Sequence, residues 1–375
     1  MEYRLIHEKS IVVDAHNDVL SGAVARGHNI SKRLDSGNTD LVRLKEGGVD
    51  VQVFAIFCDD SFGTGVAFTE AEKQADAFKM LINENSGKIV ATRNLDEISH
   101  AVESGKIAAM LAIEGGHMLE DDISKLHKIA EWGVCYLTLT WNNSTSWASS
   151  AVDEFNATRN GKTVSVRGLS EFGREIVFAM NQLDIVVDLA HAGPRTFFDA
   201  VECSSKPVIV SHGNAYAICP VVRNLADDQI RAVANTGGVI GVTFYAPFVD
   251  AVYTDKIELL KKKYSGFVAM LEGQGLKGGR LLERLFNKYP QEAELIRPSV
   301  SQVVDHIDYM VNIAGIDHVG LGSDYFATTT HPFPKGMADV TGYPLITQEL
   351  SARGYPEHAI EKILGGNFLR VLTVV

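Results

Sequence analysis

Eight stretches of the chain are apolar almost without interruption, and each gives way to a loop and then to a segment compatible with an amphipathic helix. They are residues 11–16, 49–57, 107–114, 136–141, 184–191, 206–212, 237–245 and 318–324. Strands that alternate in polarity keep one face in water. Strands that are apolar throughout are buried on both faces, as in a parallel sheet covered by helices. Eight such units predict an α/β fold of the TIM (β/α)8 barrel type; a doubly wound open sheet produces the same alternation and is the alternative. Helices are predicted over 69–85, where Thr69 and Glu72 read as a capping box, and over 169–183, with Ser170 as cap. Residues 246–317 are too many for one crossover, so a helical insertion (about 250–300) is expected between strands seven and eight, with a turn at 273–279. No repeat or linker divides the chain, and a single domain, 1–375, is expected.

Composition narrows the class. With 46% hydrophobic and 22% charged residues the chain reads as globular. Its net charge of -12, with no basic run beyond Lys261-Lys262-Lys263, excludes the electrostatic footprint of a nucleic-acid binder. The opening MEYRLIHEKS lacks the apolar centre of a signal peptide, and no window offers the roughly 18 apolar residues of a membrane span. The expectation is a soluble, cytoplasmic protein with no membrane partner. Cys58, Cys135, Cys203 and Cys219 are far apart and form no Cys-x-x-Cys pair, which fits reduced thiols.

Chemistry enters at the ends of the runs. Run one ends in Asp14-Ala15-His16-Asn17-Asp18, run three in Glu114, run five in Asp188-Leu189-Ala190-His191, run six in Ser211-His212 and run eight in Asp324. In a barrel these ends converge on one face. Histidines gathered with carboxylates suit zinc or a similar borderline ion, and Glu114 could lie between two ions, one beside His16 and Asp18, the other beside His191 and His212. Each fragment alone has a plainer reading: a capped strand end for His16 and Asp18, a loop histidine for His212, a backbone acceptor or a partner that orients His191 for Asp188. Their coincidence at consecutive strand ends favours the metal.

These fragments, with Glu114-Gly115-Gly116-His117, Ser211-His212-Gly213-Asn214, Arg223-Asn224-Leu225, Gly320-Leu321-Gly322-Ser323-Asp324 and Gly365-Gly366-Asn367, span nearly the whole chain. Together they resemble the membrane dipeptidase (renal dipeptidase) family of the amidohydrolase superfamily, in a soluble bacterial-type form. The resemblance implies a metallo-dipeptidase with two Zn2+ per chain, cleaving the peptide bond of a small dipeptide by a metal-activated hydroxide, and a homodimer. It implies His16 and Asp18 on one zinc, Glu114 bridging, His191 and His212 on the other, Asp324 in proton transfer, and Arg223 on the substrate carboxylate. Arg223 also reads as a surface ion pair, and Tyr245 as either pocket wall or packing.

Two departures qualify the match. Where many family members carry a histidine after strand four, this chain has Trp141, followed by Asn142 and Asn143. Either asparagine could donate to a developing oxyanion, and Trp141 could wall the pocket. The usual Asp-Phe-Asp-Gly after strand eight is here Asp324-Tyr325-Phe326-Ala327, which leaves substrate preference open. His117 is placed to support the metal shell; His7, His28, His100, His127, His306, His318, His331 and His358 read as ordinary core or surface residues. The rival readings are an amidohydrolase acting on N-acyl amino acids or related amides, and a non-catalytic peptide-binding barrel.

Overall fold

The apolar runs pair edge to edge. The structure, a computed structural model, describes residues 2–63, 65–160, 167–326 and 332–373, and among them nine strands form one sheet. The strands are β1 (Val12–Asn17), β2 (Val49–Phe57), β3 (Ile89–Ala91), β4 (Ile107–Glu114), β5 (Val134–Thr138), β6 (Val186–Asp188), β7 (Ile209–Gly213), β8 (Val239–Val242) and β9 (Val319–Leu321). Eight of them run in the order β1-β2-β4-β5-β6-β7-β8-β9, every pair parallel. First and last meet beyond β9: Asn17 bridges Tyr325, Asp18 N–H donates to the Tyr325 carbonyl at 2.8 Å, and Asp324 N–H donates to the His16 carbonyl at 3.0 Å. That contact makes the sheet the expected barrel and removes the open-sheet alternative.

Side chains alternate across each strand, so the barrel has two apolar layers. On β4, Ile107, Ala109, Leu111 and Ile113 join the core between sheet and helices, whereas Ala108, Met110 and Ala112 fill the barrel with Val13, Val53 and Phe368. Phe368, from the helix Asn367–Leu372, plugs the floor against Gly320. On the opposite side, a side-chain carbon at Gly241 or Gly322 would lie 2.1 or 1.9 Å from the Ser211 carbonyl oxygen. Glycine at both positions lets β8 and the end of β9 close against β7.

Local expectations meet tertiary context in three places. The helix expected from Thr69 starts earlier, at Ala67, with Val66 in the N-cap position, so Thr69 sits within its first turn and the Thr69–Glu72 capping box does not form. A distant carboxylate caps this end instead, Glu120 accepting from Gly65 N–H at 2.8 Å and from Phe68 N–H at 3.2 Å. Ser170 does cap the helix Glu171–Gln182, accepting from Gly173 N–H at 3.1 Å. Run four shifts toward the N-terminus as β5, and runs five, seven and eight shorten to β6, β8 and β9, because the ends of these runs turn into the loops at the mouth; β3 is a three-residue spur on β4 outside the barrel path.

The insertion is helical as expected. Helices Ala246–Val249, Tyr253–Lys263, Ser265–Gly273, Gly278–Lys288 and Pro290–Ile296 precede the crossover helix Val300–Ala314 and enclose a small core of their own around Tyr253, Leu271, Leu285 and Phe286. Among the described residues no helix is long and apolar enough to cross a membrane. Ala327 and His331 lie outside the described residues.

Candidate metal centre

Glu114 is the last residue of β4, continuing the inward row Ala108, Met110, Ala112 to the barrel mouth. Its two oxygens face different neighbours. Oε1 lies 3.0 Å from His191 Nε2 and 3.4 Å from His212 Nε2, and Oε2 lies 3.6 Å from His16 Nε2. His16 reaches the mouth because β1 carries one extra residue between Asp14 and Asn17 relative to β2, a bulge that turns the side chain inward. His16, Asp18 and Asp324 form one compact donor group, and His16, Glu114 and His212 a second; in each, the ligand atoms lie within 4.8 Å of one another. The structure therefore brings together His16, Asp18, Glu114, His191, His212 and Asp324 from five strand ends.

Each histidine is tied by Nδ1, leaving Nε2 for the centre. Tyr136 Oη–H donates to the Ala15 carbonyl at 2.8 Å, so its oxygen accepts from His16 Nδ1–H at 2.8 Å. Ser211 Oγ–H donates to Asp188 Oδ2 at 2.6 Å and its oxygen accepts from His212 Nδ1–H at 3.0 Å. Asn142 Oδ1 accepts from His191 Nδ1–H at 3.0 Å. These partners fix the tautomers in the form that offers Nε2 as a ligand. The Nε2 atoms of His191 and His212 are 3.2 Å apart, two lone pairs aimed at one place.

The charges make the same demand. Burial raises Asp18 well above the carboxylate range, with Glu114 adding repulsion, and burial, with Glu114 and Asp14 behind it, lifts Asp324 to about 7. His16 is pushed up to about 10 although burial opposes it, because Glu114, Asp18 and Asp324 require a positive charge beside them. Burial, then Arg223, takes His191 down to about 3, and burial, then His16, holds His212 well below its usual range, so both are neutral imidazoles. His16 Nε2 and Asp18 Oδ1 are buried without a hydrogen-bond partner. Neutral imidazole nitrogens, crowded carboxylates and orphaned buried donor atoms together fit a divalent cation, and the span of Glu114 fits two.

The backbone is bent to reach this arrangement. His191 (φ 64°) and Asp324 (φ 62°) occupy the left-handed region, which costs on the order of 1 kcal/mol or more for a residue with a β-carbon. Both lie just beyond their strands, and backbone bonds hold them: Ala151 N–H donates to the His191 carbonyl at 2.9 Å, and Asp324 N–H to the His16 carbonyl.

A cavity of about 480 Å3 opens above the cluster, with Asp18, Glu114, His191, Asp324, Trp141 and Tyr245 among the residues in its wall. Trp141 is a wall, its ring 5.1 Å from Phe57 and 6.2 Å from His191. Tyr245 both lines the cavity and packs on Phe248 at 4.9 Å. Asn142 also lines it, but its oxygen is engaged by His191. Arg223 lies in the wall of an adjoining cavity of about 690 Å3 that shares His191. Its guanidinium is buried, stacks on the Phe248 ring at 5.5 Å, and leaves Nε and Nη2 without partners, so it is not a surface ion pair. His117 turns away from the cluster, Nε2 facing the Cys58 carbonyl at 3.0 Å. Sequence reasoning missed Tyr136 as the partner of His16; the signal was a tyrosine opening the fourth run.

Comparison with known proteins agrees with this geometry. The chain is 29% identical over 370 residues to Dipeptidase 3 of Mus musculus, an alignment covering 97% of this chain but 64% of the mouse protein's length. Two solved structures share the fold: the probable dipeptidase PvdM from Pseudomonas aeruginosa and a metallo peptidase from Rhodobacter sphaeroides liganded with a phosphinate mimic of the dipeptide L-Ala-D-Ala. The first has a TM-score of 0.80 at 22% identity, covering 99% of this chain and 97% of that one. The second has a TM-score of 0.76 at 24% identity, covering 97% and 99%. The family described as membrane dipeptidase (peptidase family M19) matches residues 1–375, and the chain belongs to that family.

Proposed function

We propose that this protein is a zinc-dependent dipeptidase with two zinc ions at the barrel mouth, His16 and Asp18 holding one, His191 and His212 the other, and Glu114 bridging. The observation that carries the reading is the split of Glu114, Oε1 toward His191 and His212 and Oε2 toward His16. Zinc bound there supplies Lewis acidity toward a carbonyl oxygen and acidifies a water molecule. The remaining work falls to the chain. Asp324, within 4.8 Å of the ligand atoms of His16 and Asp18, is placed to take up a proton and pass it to the departing amine. Arg223, desolvated and with two donor atoms unpaired, binds the free carboxylate of a dipeptide. Trp141 and Tyr245 wall the cavity against water, and Asn142 holds His191 through its oxygen, leaving only its amide nitrogen for the substrate.

The four cysteines are unpaired, which supports a reducing compartment such as the cytoplasm. Support for dipeptides as substrates comes from the family and from the dipeptide mimic bound by the Rhodobacter sphaeroides relative. The test is zinc content measured beside hydrolysis of L,L and L,D dipeptides and their N-acetylated forms. About two zincs per chain with cleavage confined to free-amine dipeptides is the expected result. Cleavage confined to N-acyl compounds would transfer the protein to the rival amidohydrolase reading, and absence of bound metal would overturn the ligand set.

A further inference from the structure

Two buried aspartates beneath the centre, neither among its ligands, repeat one hydrogen-bond pattern. Asp14 lies on β1 and Asp188 on β6, both fully buried. Asp14 Oδ1 accepts the backbone N–H of His16 at 3.3 Å and of Ser323 at 2.8 Å; its Oδ2 accepts Ser323 Oγ–H at 2.7 Å and Asn17 Nδ2–H at 3.2 Å. Asp188 Oδ1 accepts the backbone N–H of Ala190 at 3.1 Å and of Ser211 at 2.7 Å; its Oδ2 accepts Ser211 Oγ–H at 2.6 Å and Thr138 Oγ1–H at 2.5 Å. In both, one oxygen takes the N–H two residues ahead on its own segment and the N–H of a serine on the adjoining one. The other oxygen takes that serine's hydroxyl and one further side chain.

The residue after each serine gives the pattern its meaning. Ser323 precedes Asp324, and Ser211 precedes His212. The aspartates' own segments supply His16 and His191. Each carboxylate thus fastens two members of the centre across one seam, β1 with the end of β9, and β6 with β7. It does so beside the residues that most need restraint, since Asp324 and His191 have positive φ. The Asp188 frame reaches further, because the Ser211 hydroxyl it orients also receives His212 Nδ1–H.

We infer that Asp14 and Asp188 are positioning residues for the two halves of the metal centre, acting through Ser323 and Ser211: Asp14 sets the half containing His16, Asp18 and Asp324, and Asp188 sets the half containing His191 and His212. The inference rests on the two-zinc reading. It goes beyond that reading in making the halves separable: disturbing one frame weakens one ion and spares the other.

The experiment is zinc titration of the metal-free protein against a chromophoric chelator, read as two binding steps. Asp18→Ala and His212→Ala mark which step belongs to which half. Ser211→Ala and Thr138→Val should weaken the step marked by His212→Ala by about 10- to 100-fold, the usual cost of losing a group that orients a ligand, and leave the other within threefold. Ser323→Ala should weaken the step marked by Asp18→Ala instead. Equal weakening of both steps by either serine variant would overturn the inference, and so would unchanged affinities with only a lower melting temperature for the metal-free protein. Thr138→Val, which removes one bond and keeps the side-chain shape, decides the Asp188 frame if Ser211→Ala fails to fold; Asn17→Leu serves the same purpose for Asp14. Wild-type protein that binds no zinc would fail the two-zinc reading itself, a result distinct from any variant pattern.

Discussion

The two ends of the barrel are built from the same strands and follow opposite rules. At the floor, Val13, Val53, Met110 and Phe368 pack as an apolar plug with nothing to satisfy. At the mouth, the same inward rows end in buried carboxylates and imidazoles, two residues take left-handed backbone, and donor atoms of His16 and Asp18 remain without partners. Burial of unpaired polar groups costs free energy, so the mouth is maintained at the expense of stability that the floor and outer core provide. The difference predicts a division of phenotypes: changes at the mouth cost activity and leave the metal-free fold intact, and changes at the floor cost stability and leave zinc affinity intact.

The largest effect that would sharpen this division is at Glu114, whose two oxygens face different halves. Glu114→Gln should reduce zinc below two per chain and lower turnover by about 10⁴-fold, the rate equivalent of the several kcal/mol a metal supplies. Elemental analysis beside kcat checks it, and full zinc occupancy with ordinary turnover would refute the bridging role. Next in size is Asp324→Asn, expected to lose ~10²- to 10⁴-fold in kcat with zinc content unchanged, because a positioned proton carrier contributes on that scale. The melting temperature of the metal-free variant should not fall, since a neutral amide removes a charge that burial first, and then Glu114 and Asp14, disfavour against the pull of His16 and Arg223. Retained turnover would remove Asp324 from proton transfer.

The floor supplies the reciprocal case. Phe368 is fully buried, over a glycine that leaves room for its ring, and Phe368→Ala should cost about 3–5 kcal/mol of unfolding free energy. Urea denaturation of the metal-free protein measures this, and zinc affinity of the folded fraction should stay within a few-fold. A large loss of zinc affinity would show that floor and mouth are coupled and break the division.

Legibility in the sequence divides along the same line. The barrel was legible because strands buried on both faces must be continuously apolar, and β2 and β4 match runs 49–57 and 107–114 residue for residue. The cluster at the mouth was legible because ionisable residues terminating such runs stand out against them. Of the frames beneath, Asp188 was legible as a backbone acceptor, whereas Asp14 acquires its role from Ser323, 309 residues away, and nothing in a local window links them. The start of the helix Ala67–Glu84 was misplaced for a similar reason, its first turn being held by Glu120 from another segment. Arg223 kept a surface ion pair as the alternative to carboxylate binding until the fold buried it against Phe248.

The histidines carry the comparison to its finest scale and give the smallest prediction. His16, His191 and His212 are each tied at Nδ1 and keep Nε2 for the centre. His306, on the helix Val300–Ala314, is equally buried but is satisfied by protein at both nitrogens: Nδ1 accepts Ala215 N–H at 3.1 Å and Nε2–H donates to the Val249 carbonyl at 3.0 Å. It pins the start of the insertion to the loop after β7, and its neutral form is the only one compatible with the Ala215 donor. Burial accordingly lowers its pKa, with the Val249 bond and Asp305 opposing. The unfolded chain therefore takes up the proton more readily, so stability from His306 is complete above the unfolded value of about 6.5 and is lost as pH falls below it toward the folded pKa. One proton contributes at most about 1.4 kcal/mol per pH unit to that slope. His306→Gln, which can keep one acceptor and one donor without titrating, should flatten the loss of stability between about pH 6.5 and pH 5 relative to the wild type, measured by urea denaturation of the metal-free protein. An unchanged slope would mean that another group, such as the buried His7, carries the acid sensitivity and that the seam at His306 tolerates charge.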